Sequence, residues 1–204
     1  KIILCYNATK DNASYIITID LGLKSDSAAL SVFHTETSEK GAVVIHDLMC
    51  AWVPDRERNL EVSMNDIKNF IEDLSKHINI SCVYFDQWNR SLIIAQLQTL
   101  NIPAELYNLK FADFKHAKEM IYEKRIILQN EPVMLKELKQ LILIRSNRVH
   151  HPAVEHSDRS DIVIGACKVL LTPDVLRKNI RFADGLYIQA NLSRVGGNFI
   201  GTDT

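Results

Sequence analysis

Cysteine is scarce in these 204 residues, and none of the four falls in a C-x-x-C pair. Cys5, Cys50, Cys82 and Cys167 stand far apart, and three of them sit inside apolar runs. That argues against a zinc ribbon or a disulfide framework and for buried thiols in a reducing compartment. Glycine is also sparse, with only seven in the chain. No G-x-x-x-x-G-K-[ST] phosphate loop occurs among them, which removes a P-loop nucleotide site. Charge of one sign is missing too. The formal net charge is −1, so no global basic field advertises nucleic acid. No apolar run approaches the ~20 residues of a membrane span. The N-terminus has no basic segment leading into a long apolar one, so it does not read as a signal peptide. Lys1 rather than Met opens the chain, which fits an excised piece of a longer polypeptide. Repeats and low-complexity segments are absent.

What is present is an ordinary globular composition, 47% hydrophobic and 24% charged, enough for one α/β domain with a real core. The charge is uneven. Residues 1–102 carry 9 Lys and Arg against 13 Asp and Glu, and residues 103–204 carry 15 against 12. A net of −4 followed by a net of +3 permits a basic face in the second half. Residues 1–14 read as a linker or edge strand. Strands are expected over 15–20, 28–33 and 42–53, with turns at 21–27 and 35–41, which makes an antiparallel meander. A charged loop covers 54–60. Ser63 with Asp66 three residues on looks like a capping box. Met64, Ile67, Phe70, Ile71, Leu74 and Ile78 then follow at helical spacing. Residues 80–85 form a continuous apolar run, which suits a central strand covered on both faces. Further expectations are a helix over 91–100 carrying Ile93, Leu97 and Leu100, a strand over 104–107, and helices over 112–123, 132–143 and 158–171. Residues 145–151 read as a short strand or ribbon, and 196–204 as a loose tail. The order is β-β-β-α-β-α-β-α-α-α, a mixed sheet flanked by helices.

The chemistry lies in the acids. Tyr15-Ile16-Ile17-Thr18-Ile19-Asp20 and Ser81-Cys82-Val83-Tyr84-Phe85-Asp86 are apolar runs that end in a carboxylate. If the two strands are parallel neighbours, Asp20 and Asp86 converge at one sheet edge. Such a pair repels, and one acid would take up a proton unless a cation joins it. Mg²⁺ suits the place, because it often uses only one or two protein carboxylates plus substrate phosphate. Asp158 and Asp161, three residues apart, share one face of the first turn of the last helix. A helix N-terminus also favours negative charge. Gly165 continues that face and would let the helix approach the sheet closely. Each acid has a plainer account. Asp20 suits a turn before Gly22, Asp86 a cap for the next helix, and Asp161 an ion pair with Arg159 or Lys168.

Three stretches together resemble the C-terminal nuclease domain of the large terminase subunit of tailed bacteriophages, an RNase H-like fold. The first is Ile19-Asp20-Leu21-Gly22 with Asp26 and Ala28-Ala29-Leu30. The second is Val83-Tyr84-Phe85-Asp86-Gln87-Trp88-Asn89-Arg90-Ser91, followed by a helix and Leu100-Asn101-Ile102-Pro103-Ala104. The third is Val149-His150-His151-Pro152, then Asp158-Arg159-Ser160-Asp161 and an apolar helix. Arg125-Ile126-Ile127-Leu128 ahead of 135–141 also keeps the family's rhythm, so the likeness spans about residues 15–171. It implies an RNase H-like mixed sheet, an antiparallel three-stranded meander plus parallel strands flanked by helices. Residues 1–14 would be a linker or edge segment, 15–172 the nuclease domain, and 173–204 its extension and tail.

The resemblance further implies an endonuclease that uses two Mg²⁺ or Mn²⁺ ions to cut concatemeric double-stranded viral DNA during packaging. Asp20 and Asp86 match the first two metal ligands, and Asp158 or Asp161 the third. Family members usually place alanine after the second Asp, and Ile162 stands there, which ranks Asp158 ahead of Asp161. His156 would be an outer-shell or phosphate contact, and His150 and His151 would position their loop. Lys110, Lys115, Lys118, Lys124, Arg125, Arg145 and Arg148 are candidates for DNA backbone contacts. An ATPase motor domain on the same polypeptide, the portal and the small terminase subunit are implied partners. The cytoplasm of an infected bacterial host is the implied location, with no membrane partner. Other classes stay open. They are a Holliday-junction resolvase or RNase H, an actin-like ATPase (for which the chain is short and glycine-poor), and a non-catalytic interaction domain.

Overall fold

The computed structural model describes residues 2–6, 13–21, 27–39, 41–54, 62–86, 91–144, 148–150 and 158–170. For 2–6, 142–144, 148–150 and Asp158 it describes the backbone alone. Residues 22–26 of the turn expected at 21–27, residues 55–60 of the loop expected at 54–60, and the whole tail expected at 196–204 lie outside these residues, as do Arg145, His151 and His156.

The strands are β1 (Ile2–Tyr6), β2 (Ser14–Leu21), β3 (Ala28–Ser38), β4 (Gly41–Trp52), β5 (Asn79–Asp86), β6 (Ala104–Tyr107) and β7 (Ile126–Ile127), with a separate ribbon of β8 (Ile142–Ile144) and β9 (Arg148–His150). The helices are α1 (Met64–Ser75), α2 (Ser91–Thr99), α3 (Phe111–Tyr122), α4 (Pro132–Gln140) and α5 (Asp158–Leu170). The main sheet runs β1-β4-β3-β2-β5-β6, with β7 also on β4. Strands β1, β4, β3 and β2 pair antiparallel, while β2–β5, β5–β6 and β4–β7 pair parallel. The mixed sheet flanked by helices is the expected architecture, with β1 added to the antiparallel meander.

Alternation along β2 sorts the two layers of the core. Tyr15, Ile17 and Ile19 face α1 and α2, packing with Ile67, Ile71, Ile93, Leu97, Val83 and Phe85. Residues between them point to the other face, as strand geometry requires. There Thr18 meets α5. From Arg159 to Cys167 every residue but Asp161 is buried, as suits a helix enclosed by the sheet on one side and by α3 and α4 on the other. Ser63 caps α1 through its hydroxyl, which accepts Asp66 N–H at 3.3 Å. Met64 and Leu100 sit at the rim, 45% and 39% exposed, so the expected apolar faces are narrower than their spacing suggested.

Three boundaries differ from expectation. β3 continues to Ser38, because Thr35 and Thr37 are β-branched and pair across to Val44 and Ala42 in a long hairpin closed at Gly41, φ 98°. α4 stops at Gln140 rather than 143, because Leu141 is extended and Ile142–Ile144 pairs with Arg148–His150. Ile126–Ile127, expected only as a matching rhythm, is a short strand on β4.

The β3–β4 register shifts between Val32 and Phe33, leaving Asp47 as an extra residue. Bulges unpair backbone groups. The Gln129 side-chain amide donates to the carbonyls of His46 and Asp47 at 3.2 and 3.1 Å. The Asp47 carboxylate accepts His34 Nδ1–H at 2.6 Å. Burial pushes His46 down to about 4, so its ring is neutral. Its Nε2 donates to Leu48 O. Cys50, Cys82 and Cys167 are buried, and burial pushes the Cys50 and Cys167 thiols up to about 12, which leaves them inert. No helix among the described residues is long and apolar enough to cross a membrane.

Candidate active site

Asp20 and Asp86 stand side by side. β2 and β5 are parallel neighbours whose last aligned pair is Ile19 with Phe85. One residue beyond that pair stand Asp20, the next-to-last residue of β2, and Asp86, the last residue of β5. Neighbouring strands lie roughly 5 Å apart, so the two half-buried carboxylates leave one edge of the sheet together. They share the face of Thr18 and Tyr84, which is the α5 face. Carboxyl ends of parallel strands are where open α/β sheets place ligands.

α5 is fastened over this edge at three points. Thr18 Oγ1, two residues before Asp20 on the same strand face, donates to Ile162 O at 2.9 Å. Ile162 directly follows Asp161, so this bond draws Asp161 toward β2. Gly165 lies against Tyr107, which pairs in register with Asp86. A β-carbon at Gly165 would stand 2.7 Å from the Tyr107 ring, so the close approach expected of this glycine is found. The third fastening is at the helix start. Glu137 Oε2 accepts the backbone N–H groups of Arg159 and Ser160 at 3.0 and 2.9 Å.

Arg159 Nη1 donates to Glu131 Oε1 at 2.7 Å, and Glu131 Oε2 accepts Met134 N–H at 2.6 Å, capping α4. Arg159 is thus paired with Glu131, and Lys168 with Asp113 at 2.8 Å. Asp161 is half-buried and accepts Ser160 Oγ–H at 3.4 Å. Asp158 opens the helix, with its side chain outside the described residues.

The sequence gives no role to Thr18, Glu131 or Glu137, and offers Arg159 only as a partner for Asp161. Glu137 did leave a signal, because it sits three residues after Met134, on the same buried face of α4. Among the described residues, no three His, Cys, Asp or Glu side chains gather closely enough to hold a metal ion. The donor set still suits a hard cation, since in-register carboxylates supply only oxygen and Mg²⁺ often takes one or two from protein.

The basic candidates divide. Lys110, Lys115, Lys118 and Lys124 are exposed along α3 and its end. Lys118 stands 5.9 Å over the Tyr122 ring, and Lys115 reaches Glu119 at 4.0 Å. Arg125 is held by protein, its Nε on Ala42 O at 3.3 Å and its guanidinium near Glu123 at 3.4 Å. That ties β7 to β4. Arg148 lies in the ribbon, whose strand β9 neighbours α3.

No protein-family model and no curated protein matches the chain. Solved structures do. A whole large terminase from a thermophilic bacteriophage aligns with TM-score 0.62 at 14% identity, over 82% of this chain and 43% of that one. The large terminase nuclease from thermophilic phage G20c aligns with TM-score 0.59 at 14% identity, over 78% of this chain and 88% of that one. The HK97 bacteriophage large terminase aligns with TM-score 0.60 at 13% identity, over 79% and 40%. The chain therefore spans less than half the length of the two whole terminases and most of the isolated nuclease. Its RNase H-like mixed sheet, with α5 on the face that carries Asp20 and Asp86, has the fold of the large terminase nuclease domains.

Proposed function

We propose that this chain is a metal-dependent endonuclease that cuts concatemeric double-stranded viral DNA during genome packaging. The observation that carries the proposal is that Asp20 and Asp86 both follow directly on Ile19 and Phe85, the last aligned pair of parallel β2 and β5, on the sheet face that α5 covers. The terminase fold of its structural neighbours supports the same assignment. Asp20, Asp86 and Asp158 or Asp161 would hold two Mg²⁺ or Mn²⁺ ions. Bound there, the ions supply an activated water and charge stabilisation for the phosphoryl transition state and leaving oxygen.

The chain's own residues prepare that site. Neighbouring β2 and β5 would hold Asp20 and Asp86 close together, and the first turn of α5 would supply the third acid. Exposed Lys110, Lys115, Lys118 and Lys124, with Arg145 and Arg148, are suited to DNA phosphates, and His156 to an outer contact. Arg125 is the weakest member of that set, because its guanidinium serves the β4–β7 junction. Backbone contacts carry no sequence information, and no base-reading helix or zinc finger is visible in the sequence, so cleavage is sequence-independent. A motor domain on the same polypeptide, the portal, the small subunit and the host cytoplasm complete the proposal.

The test is cleavage of supercoiled plasmid with Mn²⁺, Mg²⁺ or EDTA. Wild type should cut only with metal, and Asp20→Asn and Asp86→Asn should not cut. Asp158→Asn and Asp161→Asn then decide the third ligand by which loses more. Absence of cutting with either metal, together with no rise in melting temperature on adding metal, would reject the proposal.

A further inference from the structure

We propose that Glu137, braced by the Glu131–Arg159 ion pair, is a positioning residue for the metal site, setting where the first turn of α5 stands over Asp20 and Asp86. The proposal rests on the nuclease assignment above. Its first support is the kind of cap α5 has. A helix start leaves N–H groups without intrahelical partners, and the usual remedy is a side chain just before the helix. Such a cap moves with its own helix. Here the N–H groups of Arg159 and Ser160 reach Glu137 of α4, 22 and 23 residues earlier in the chain. The first turn is therefore fixed relative to a second helix, and that turn carries both Asp158 and Asp161.

Burial is the second support. Glu131, Glu137 and Arg159 are 3%, 6% and 6% exposed. Two carboxylates and one guanidinium are costly to desolvate, and apolar side chains of similar size often stabilise a fold as well or better. Directional bonds do what apolar packing does poorly, which is to fix a helix against rotation and sliding. Glu131 adds to this by capping α4 with one oxygen and holding Arg159 with the other, so that both helix starts share one network.

The third support is where the bonds fall. Glu137 holds residues 159 and 160, Thr18 holds residue 162, and Asp161 lies between them as the one residue from Arg159 to Cys167 that is not buried. Fastenings on either side hold the stretch of backbone that carries this carboxylate.

The experiment is Mn²⁺ binding to the 204-residue chain, read from the free-ion electron paramagnetic resonance signal, with folding checked by circular dichroism. Loss of an outer-shell partner typically weakens metal affinity about 10–100-fold. Glu137→Ala should show a loss of that size while folded, and Glu137→Gln, which keeps an acceptor oxygen, should recover most of it. Ile71→Val, a destabilising change in the opposite core layer, should leave Mn²⁺ affinity unchanged. If Glu137→Ala does not fold, Glu137→Asp takes its place, since the shorter arm should weaken binding about tenfold. Unchanged Mn²⁺ affinity in the folded Glu137 variant, or an equal loss in Ile71→Val, would overturn the positioning role. Wild type that binds no Mn²⁺, or Asp20→Asn that binds it as well as wild type, would overturn the nuclease assignment and this inference with it. Loss of binding in Asp20→Asn but not in Glu137→Ala overturns the inference alone.

Discussion

Gly165→Ala tests whether α5 rests on the sheet as closely as the site requires. The added carbon would stand 2.7 Å from Tyr107 Cζ and 2.9 Å from Cε2 and Oη. Carbon atoms are comfortable at about 3.5–4.0 Å, so the overlap approaches an ångström. Two terms compete. Alanine gains about 1 kcal/mol over glycine inside a helix. Over-packing a buried contact costs about 1–3 kcal/mol. Tyr107 is 5% exposed, with little room to swing aside, so strain should prevail. The net expectation is a loss of about 0–2 kcal/mol, read as a lower urea midpoint at constant slope. Tyr107→Leu removes all three opposing atoms. In that background Gly165→Ala should become neutral or stabilising, giving a coupling of about 1–3 kcal/mol. The same effect in both backgrounds, or a stabilised single variant, would refute the close contact. Tyr107 pairs with Asp86, so lifting α5 here should also lower plasmid cleavage by more than the folded fraction explains.

His34 supplies a pH test. Burial works against its charged form, but the carboxylates of Asp47 and Glu36 outweigh burial, and its pKa lies above 6.5. A pKa raised by folding adds stability that is fully present below the unfolded value and lost as pH rises through the folded one. Melting temperature should therefore fall as pH rises above 6.5, and His34→Gln should flatten that fall; a wild-type profile already flat there would rule the effect out. Arg159→Ala should cost about 3–5 kcal/mol in urea unfolding, because it leaves the buried carboxylate of Glu131 without its cation. A cost below about 1 kcal/mol would show that the pair is not desolvated as its exposure indicates.

The residues proposed for the chemistry were legible because their signature is local. An apolar β-branched run that stops at an acid is visible at Asp20 and again at Asp86, and Ala104–Tyr107 was bounded correctly by the Pro103 before it. Gly165 could be read because a glycine on an acid-bearing helix face has few purposes besides close approach. What brings the acids together was not local. The parallel pairing of β2 with β5 spans the whole of β3, β4 and α1, and no residue within either strand states it. The strand at Ile142 hid behind a helical pattern because three apolar residues suit either period.

The fastenings of α5 were hidden for a stronger reason. Thr18 bonds a carbonyl 144 residues away, and Arg159 a carboxylate 28 residues away. In sequence, Thr18 is one polar residue in a strand, and Glu137 is one acid among the lysines of α4. Each becomes informative only when its place in the apolar pattern is weighed. Thr18 interrupts a run that is buried on both faces, and Glu137 shares the buried face of α4 with Met134. A polar group at such a position must find a partner or cost stability, and the partner must come from another element. An acid that breaks an inward stripe is therefore a pointer to a distant hydrogen-bond donor. In this fold the donor is the start of the helix that carries Asp161.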